Sequence, residues 1–207
     1  MTSKVVLYMS MSLDGFITGP DDDRDRGLGV GGERLHEWLA AGSVDPSSYR
    51  PVAEPNATVF DEMMATGAVI TGRRTFESAG QWAGDHHDNV PIFVLTHAPP
   101  DEPAPGSARY VTDVESCVRQ AKAAAGGRDI MVHGAATAQA CLRAGLLDEL
   151  EVHLIPVLLG QGRRLFEELP AEHVELELRR VLDGPGVLHL RYSVARPAGA
   201  RPFAEVR

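Results

Sequence analysis

The sequence predicts an α/β domain whose sheet is mainly parallel, covered on both faces and closed by an antiparallel hairpin. Three observations predict it. Short apolar runs alternate with longer segments whose apolar residues recur at helical spacing. Such alternation calls for parallel strands with helices packed on either side. The last two runs, 174–182 and 187–195, are joined by Asp183-Gly184-Pro185-Gly186, which reads as a hairpin turn.

The elements follow in order. Residues 4–11 read as a buried strand, and Asp14-Gly15 as the turn after it. Residues 19–34 are rich in Gly and Asp and predict a long loop. Residues 42–55 carry Gly, Ser, Asp and three prolines and predict another. The spacing predicts a helix from Asn56, as its cap, to about Thr66, with Val59, Phe60, Met63 and Met64 on one face. Gly67 ends it. Residues 68–71 form a short buried strand, and Thr75 opens the next helix. Residues 91–96 form a strand, followed by a Pro-rich loop at 98–106. Thr112-Asp113-Val114-Glu115 has the form of a capping box for a helix that stops at Gly126-Gly127. Residues 129–133 form a strand, then a short helix runs through Leu142 to Gly145. Leu150–Leu159 is a long apolar strand. The order is β-loop-α-β-α-β-β-α-β-α-β, then the hairpin. Residues 1–196 make one domain, and 197–207 read as an irregular tail.

Composition narrows the function. The chain has 207 residues, 43% hydrophobic and 24% charged, with a formal net charge of −9. That disfavours general binding to nucleic acid or to an anionic membrane. No run approaches the roughly 20 apolar residues of a membrane span, and no signal peptide is visible. Cys117 and Cys141 read as buried thiols of a reducing compartment, and the chain as cytoplasmic. Asp85-His86-His87-Asp88 resembles a metal cluster, but adjacent histidines in a polar loop should point apart, so no metal is expected. Neither GxSxG nor a P-loop is present.

In such sheets ligands bind beyond the carboxyl ends of the strands. Three strand ends carry suggestive residues. At Thr71-Gly72-Arg73-Arg74-Thr75 a glycine admits close approach, and two arginines can fork onto the 2′-phosphate of NADP. Solvated surface charge is the competing account. At His133-Gly134-Ala135-Ala136-Thr137 small residues before a helix suit a pyrophosphate, or simply close packing of helix on sheet. At Ser10-Met11-Ser12-Leu13-Asp14-Gly15 a carboxylate could hold a polar substrate, feed a proton, or cap the turn.

Together these segments resemble the dihydrofolate reductase-like superfamily, on the branch of the C-terminal reductase domain of the riboflavin biosynthesis bifunctional protein. The matching pieces are Ser12–Gly15, Ile70–Ser78, Val94–Thr96, Ile130–Ala136, Leu147–Leu150, Ile155–Gly162 and Leu165-Phe166. Pro156-Val157-Leu158-Leu159-Gly160-Gln161-Gly162 particularly favours the riboflavin-type branch. The resemblance implies a three-layer fold around about eight strands. It implies NADPH as hydride donor to a small heterocyclic substrate. Arg73, Arg74 and Thr75, beside Gly72, would hold the adenosine-side phosphates. Leu95, Thr96 and His97 would line the adenine region. Gly134, Ala135, Ala136 and Thr137, after His133, would carry the pyrophosphate. Ser10 and Ile17 would border the nicotinamide. Ser12, Asn56 and Phe60 would face the substrate, with Asp14 as candidate catalytic group and 19–55 as a lid.

Two departures from the family pattern stand out. Asn56 falls where dihydrofolate reductases carry the acidic residue that binds the pterin, which argues against folate. Asp61, one turn on, could substitute only if the helix were rotated. Ala135 replaces the second glycine of a Gly-Gly pair that holds a cis peptide. A non-proline cis bond costs about 3–4 kcal/mol, so either a strained cis bond or a relaxed trans turn is expected. Arg163 and Arg164 are conceivable partners for a substrate phosphate, though surface charge is the better account of them. Besides a riboflavin-type reductase, a dihydrofolate reductase proper or a nucleotide-binding protein without catalysis fits the pattern. A homodimer built on Leu150–Leu159 and the hairpin is expected.

Overall fold

A computed structural model describes residues 3–23, 25–43, 45, 49–167, 169 and 173–195. The irregular tail expected from 197 lies outside them. The strands are β1 (Val5–Ser12), β2 (Phe16–Thr18), β3 (Ala68–Gly72), β4 (Ile92–Leu95), β5 (Ala108–Val111), β6 (Ile130–His133), β7 (Glu149–Ile155), β8 (Arg163–Arg164), β9 (Leu176–Gly184) and β10 (Val187–Val194). The α-helices are α1 (Asn56–Met64), α2 (Arg73–Ser78), α3 (Val114–Ala124) and α4 (Ala135–Arg143).

Eight strands form one sheet in the order β5-β4-β3-β6-β1-β7-β10-β9. The six from β5 to β7 are parallel. β10 runs antiparallel to both β7 and β9, so the hairpin closes one edge. Strand residues alternate between two cores. Val5, Leu7, Ile70, Phe93 and Val132 pack under α3 and α4. Val6, Tyr8, Val69, Ile92 and Met131 pack under α1, α2 and a 3₁₀ helix, Gly32–Ala40. The result is three layers, as the sequence predicts. Cys117 and Cys141 are buried and unpaired, and burial pushes both thiols up to about 12. Among the described residues no helix is long and apolar enough to cross a membrane.

Several local expectations change. The 19–55 stretch is not a continuous lid. Its 3₁₀ helix buries Leu35 and Trp38, and lifting it would expose core. α1 begins at Asn56, but Asn56 is fully buried and caps nothing. Glu54 serves the first turn instead, accepting from Thr58 N at 3.3 Å and Thr58 Oγ1 at 2.7 Å. α2 starts at Arg73, two residues before Thr75. The cap of α3 is Asp113, which accepts from Ser116 N at 2.7 Å, rather than Thr112. β7 stops at Ile155 because Pro156 has no N–H to extend the ladder. The small antiparallel pair of β2 and β8 was not foreseen. β7 lies between β1 and β10, so it offers no free face edge for a second copy.

Candidate functional site

The two predicted stretches meet. β3 and β6 are neighbours, with Thr71 opposite His133, so Gly72 and Gly134 open side by side at one end of the sheet. A Cβ on Gly72 would lie 3.0 Å from Thr137 Oγ1, and one on Gly134 would overlap Thr75 Oγ1. Gly134 also has φ 88° and ψ 144°, a conformation only glycine adopts freely. The Gly134–Ala135 bond is trans: among the described residues the cis peptide is Glu54–Pro55. Of the two expected geometries, the relaxed turn is the one observed. α4 then starts at Ala135 without a side-chain cap, leaving first-turn N–H groups for another acceptor. Thr137 in that turn is buried, and its Oγ1 has no hydrogen-bond partner.

The arginines are engaged. Arg73 donates to Ala98 O at 2.8 Å and lies 3.4 Å from the Glu77 carboxylate. Arg74 donates to Asp22 O at 2.6 Å and Asp22 Oδ1 at 3.0 Å. Arg163 grips the same carboxylate through Nε at 3.0 Å and a terminal nitrogen at 3.1 Å. Two guanidiniums around one carboxylate are also what a phosphate would satisfy. A cavity of about 270 Å³ opens beside them, lined in part by Asp22, Gln161, Arg163 and Glu167. Leu95 ends β4, Thr96 N donates to Val111 O at 3.0 Å, and His97 is exposed.

The other candidates divide. Ser10 is buried and accepts from Trp38 Nε1 at 2.9 Å. Ile17 is buried on β2, beyond the end of β1. Ser12 donates to Asp14 Oδ1 at 2.6 Å and accepts from Phe16 N at 2.9 Å. Asp14 also accepts from Leu159 N at 3.1 Å and Gly160 N at 2.7 Å. These bonds, the Ser12 hydroxyl foremost, hold its carboxyl at about 2. Asp14 is therefore an ionised anchor for the loop after β7, which is a correction: it has no proton to supply near neutral pH. Arg164 donates to Asp14 O at 3.0 Å and stacks 4.4 Å above the Phe16 ring, so it braces this turn. Asn56 is committed as well. Its Nδ2 donates to Trp38 O and Pro185 O, each at 3.3 Å, and its Oδ1 lies 3.1 Å from His189 Nε2. Phe60 lies 5.5 Å beneath the Arg50 guanidinium, and Arg50 also pairs with Asp61 at 2.9 Å. Asn56 presents no free polar group to a substrate, and Asp61 lies on the exposed face of α1, paired with Arg50.

Histidines form the part of this region that the sequence reading missed. His86 and His87 do not point apart: their Nδ1 atoms are 2.8 Å from one another, and His86 Nε2 lies 3.2 Å from His133 Nε2. Burial lowers His133 to about 4 and His86 to about 2. A second pair, His153 and His189, meets through Nδ1 atoms at 2.9 Å, and Trp38 packs on both rings. The available signal was polar alternation on β7, where Glu149, Glu151 and His153 all face inward. Among the described residues no group of three or more His, Cys, Asp or Glu is arranged to hold a metal ion.

Residues 3–190 match the family described as the RibD C-terminal domain. The chain belongs to the RibD C-terminal domain family. It is thereby related to the reductases of riboflavin biosynthesis. Solved structures agree on the fold. A protein described as a riboflavin biosynthesis protein, from Shewanella sp. PV-4, superposes with TM-score 0.69 at 21% identity, covering 93% of this chain and 99% of its own. Dihydrofolate reductase from Enterococcus faecalis, complexed with NADP(H) and RAB-propyl, gives TM-score 0.58 at 18% identity over 95% and 99%. The diaminohydroxyphosphoribosylaminopyrimidine deaminase/5-amino-6-(5-phosphoribosylamino)uracil reductase of Thermotoga maritima gives TM-score 0.61 at 13% identity, over 94% of this chain and 57% of that one. No curated protein matches by sequence. This RibD C-terminal domain therefore has the dihydrofolate reductase-like fold.

Proposed function

We propose that this RibD C-terminal domain is an NADPH-dependent reductase of a small heterocyclic substrate, related to 5-amino-6-(5-phosphoribosylamino)uracil reductase. One observation carries the cofactor reading. The Thr137 hydroxyl is buried without a partner at the junction of Gly72 and Gly134, beside the uncapped start of α4. An unmet buried hydroxyl beside an uncapped helix start suits a phosphate oxygen. The residues fit the group.

When bound, NADPH supplies a hydride to an electrophilic carbon. Gly134, Ala135, Ala136 and Thr137 would hold the pyrophosphate, and Arg73, Arg74 and Thr75 the adenosine-side phosphates. Leu95, Thr96 and His97 would line the adenine, while Ser10 and Ile17 border the nicotinamide. Arg74 must exchange Asp22 for the 2′-phosphate. Asp14 keeps the 157–160 loop in place. Dihydrofolate is disfavoured, because Asn56 has its amide groups occupied inside the fold.

Fluorescence titration with NADPH and NADH separately tests the reading. NADPH should bind more tightly. Binding of neither nucleotide would sink the cofactor claim. Binding without turnover of dihydrofolate, pterins or the ribosylaminopyrimidine would favour a nucleotide-binding protein that catalyses nothing. A cytoplasmic homodimer belongs to the same proposal. The two unpaired thiols suit a reducing compartment, and Leu176, Leu178, Val181 and Leu188 on the edge hairpin are exposed apolar side chains.

A further inference from the structure

The loop after β2 is drawn in at its base. Gly19 N donates to Leu28 O at 2.8 Å, and Val30 N donates to Pro20 O at 2.8 Å. A Cβ on Gly19 would overlap Val30 O, so only glycine lets the two sides of the base close this tightly. Asp21 follows at φ 58°, a left-handed conformation that a non-glycine residue adopts at a cost. Beyond that turn Asp22 reaches back to two arginines from distant parts of the chain.

Its carboxylate is gripped as a phosphate would be. Arg163 forks onto it, Nε to Oδ2 at 3.0 Å and Nη2 to Oδ1 at 3.1 Å. Arg74 adds Nη2 to Oδ1 at 3.0 Å, and the same nitrogen donates to Asp22 O at 2.6 Å. Two cations share one anion, so the clamp keeps a positive charge in excess. A phosphate monoester carries about −1.5 to −2 charges and three terminal oxygens near neutral pH. It suits two guanidiniums better than a carboxylate does.

Both arginines stand on elements of their own. Arg163 N donates to Thr18 Oγ1 at 3.3 Å, within the β2–β8 pair. Arg74 stands in the first turn of α2, and the next residue, Thr75, is the one Gly134 packs against. The clamp therefore lies at the rim of the strand-end site. The bridge through Asp22 is also exchangeable. The Arg74 and Arg163 side chains are 59% and 38% exposed, so water screens their pairing with Asp22. The cavity beside Asp22 and Arg163 gives an incoming group its approach. Its other charged walls are Asp21 and Glu167, the latter 4.0 Å from Arg164.

We propose that Asp22 holds the seat of a phosphate group between Arg74 and Arg163, and gives it up when a phosphorylated ligand arrives. This rests on the reading of Arg74 as a phosphate ligand, and it adds Arg163 as the second arm. A ligand without the phosphate leaves the clamp shut. A free small anion must compete with a carboxylate tethered at high effective concentration. A phosphorylated ligand that is also held elsewhere in the site displaces it. Asp22 is thereby a specificity-determining residue, which separates phosphorylated ligands from free anions.

Isothermal titration calorimetry on wild type and Asp22→Asn tests this with two probes. 2′,5′-ADP carries adenosine-side phosphates of the cofactor kind, and ribose 5-phosphate a sugar phosphate of the substrate kind. Asparagine keeps the shape of the side chain and loses the charge. A clamp shut about nine-tenths of the time lowers apparent affinity about tenfold, so Asp22→Asn should tighten binding by about that factor. Tightening toward 2′,5′-ADP assigns the seat to a cofactor phosphate. Tightening toward ribose 5-phosphate alone assigns it to a substrate phosphate, and either result supports the place-holder. Unchanged or weaker binding of both probes, or no binding of either, overturns it. Asp21→Asn removes the same charge from the same cavity and leaves the clamp closed, so it should stay within about twofold of wild type. An equal gain there would reduce the effect to bulk charge and overturn the proposal. Arg163→Gln added to Asp22→Asn should return most of the gain, and a gain that survives it overturns the second arm.

Hydrogen exchange on the wild-type protein reads the displacement without a variant, so it decides even if Asp22→Asn fails to fold. The amides of Asp21–Asp23 should exchange faster with the bound probe than without it, the reverse of ordinary protection by a ligand. Slower or unchanged exchange would overturn the displacement. Failure of NADPH to bind the wild-type protein would instead strike the cofactor reading. NADPH binding to wild type, with no gain toward either probe in Asp22→Asn, strikes the place-holder alone.

Discussion

Thr137→Val should move stability and cofactor affinity in opposite directions. Thr137 Oγ1 is buried and makes no hydrogen bond. A buried, unmet hydroxyl costs about 1–3 kcal/mol. Valine keeps the shape of the side chain and removes the polar atom. Without ligand, the variant should therefore gain about 1 kcal/mol, near the low end because the loop beside Gly72 can relax toward it. For a domain of this size that is a rise in Tm of roughly 2–4 °C. With NADPH the sign reverses. A hydroxyl donating to a phosphate oxygen contributes about 1.5–3 kcal/mol, so the variant should bind NADPH roughly 10- to 100-fold more weakly. Differential scanning calorimetry with and without NADPH reads the first effect, and isothermal titration calorimetry the second. Saturating cofactor at about 100 times Kd stabilises wild type by about 2.7 kcal/mol, so the two melting curves should cross over. A lower Tm for the ligand-free variant would refute the orphan hydroxyl. An unchanged Kd would refute its role toward the cofactor.

Arg74→Ala should weaken NADPH by about tenfold and leave NADH within about twofold, because only the 2′-phosphate distinguishes them; equal losses would contradict the assignment. Asp14 sets a pH dependence. Its folded value, about 2, lies below its ordinary 3.8, so its stabilisation is present above 3.8 and is lost as pH falls toward 2. Urea midpoints across that window should fall less steeply in Asp14→Asn, and parallel curves would count against the anchor. Leu178 is 54% exposed on the edge strand, so Leu178→Arg should shift a homodimer to monomer in sedimentation velocity. A wild-type monomer would end the dimer reading.

The layer plan was legible because apolar runs and helical spacing are set locally and repeat along the chain. That Gly72 and Gly134 end neighbouring strands was legible for the same reason: glycine after a strand has a local cause. What was not legible came from long-range pairing. Asn56 looks like a helix cap in sequence. It is instead buried, because Trp38 and the 184–189 hairpin close over it. Asp14 looks like a free turn carboxylate until the loop after β7 brings Leu159 N and Gly160 N to it, 145 and 146 residues away. Gly32–Ala40 carries Leu35, Trp38 and Leu39 at helical spacing but is short and follows a Gly-rich run, and only its packing on the sheet makes it core. His86 and His87 were expected to diverge, and only the approach of His133 from another strand aligns them.

The two histidine groups show how hydrogen-bond partners decide charge inside one fold. His189 Nε2 meets Asn56 Oδ1, an acceptor, because the amide nitrogen is committed to Trp38 O and Pro185 O. His189 Nδ1 then accepts from His153 Nδ1, so two neutral rings supply both protons that two contacts need. The remaining nitrogen, His153 Nε2, is buried with no partner. Adding a proton there would place an unpaired charge in the core, and burial holds His153 well below its ordinary value. The His133–His86–His87 chain differs in one respect: it ends on carbonyls at both sides. That second carbonyl is one acceptor more than three neutral rings can serve, unless Thr66 Oγ1 donates to His87 Nε2 in its place. The difference therefore comes from what terminates each chain. Asn56, the residue that departs from the folate pattern, is the terminus that keeps the core pair neutral.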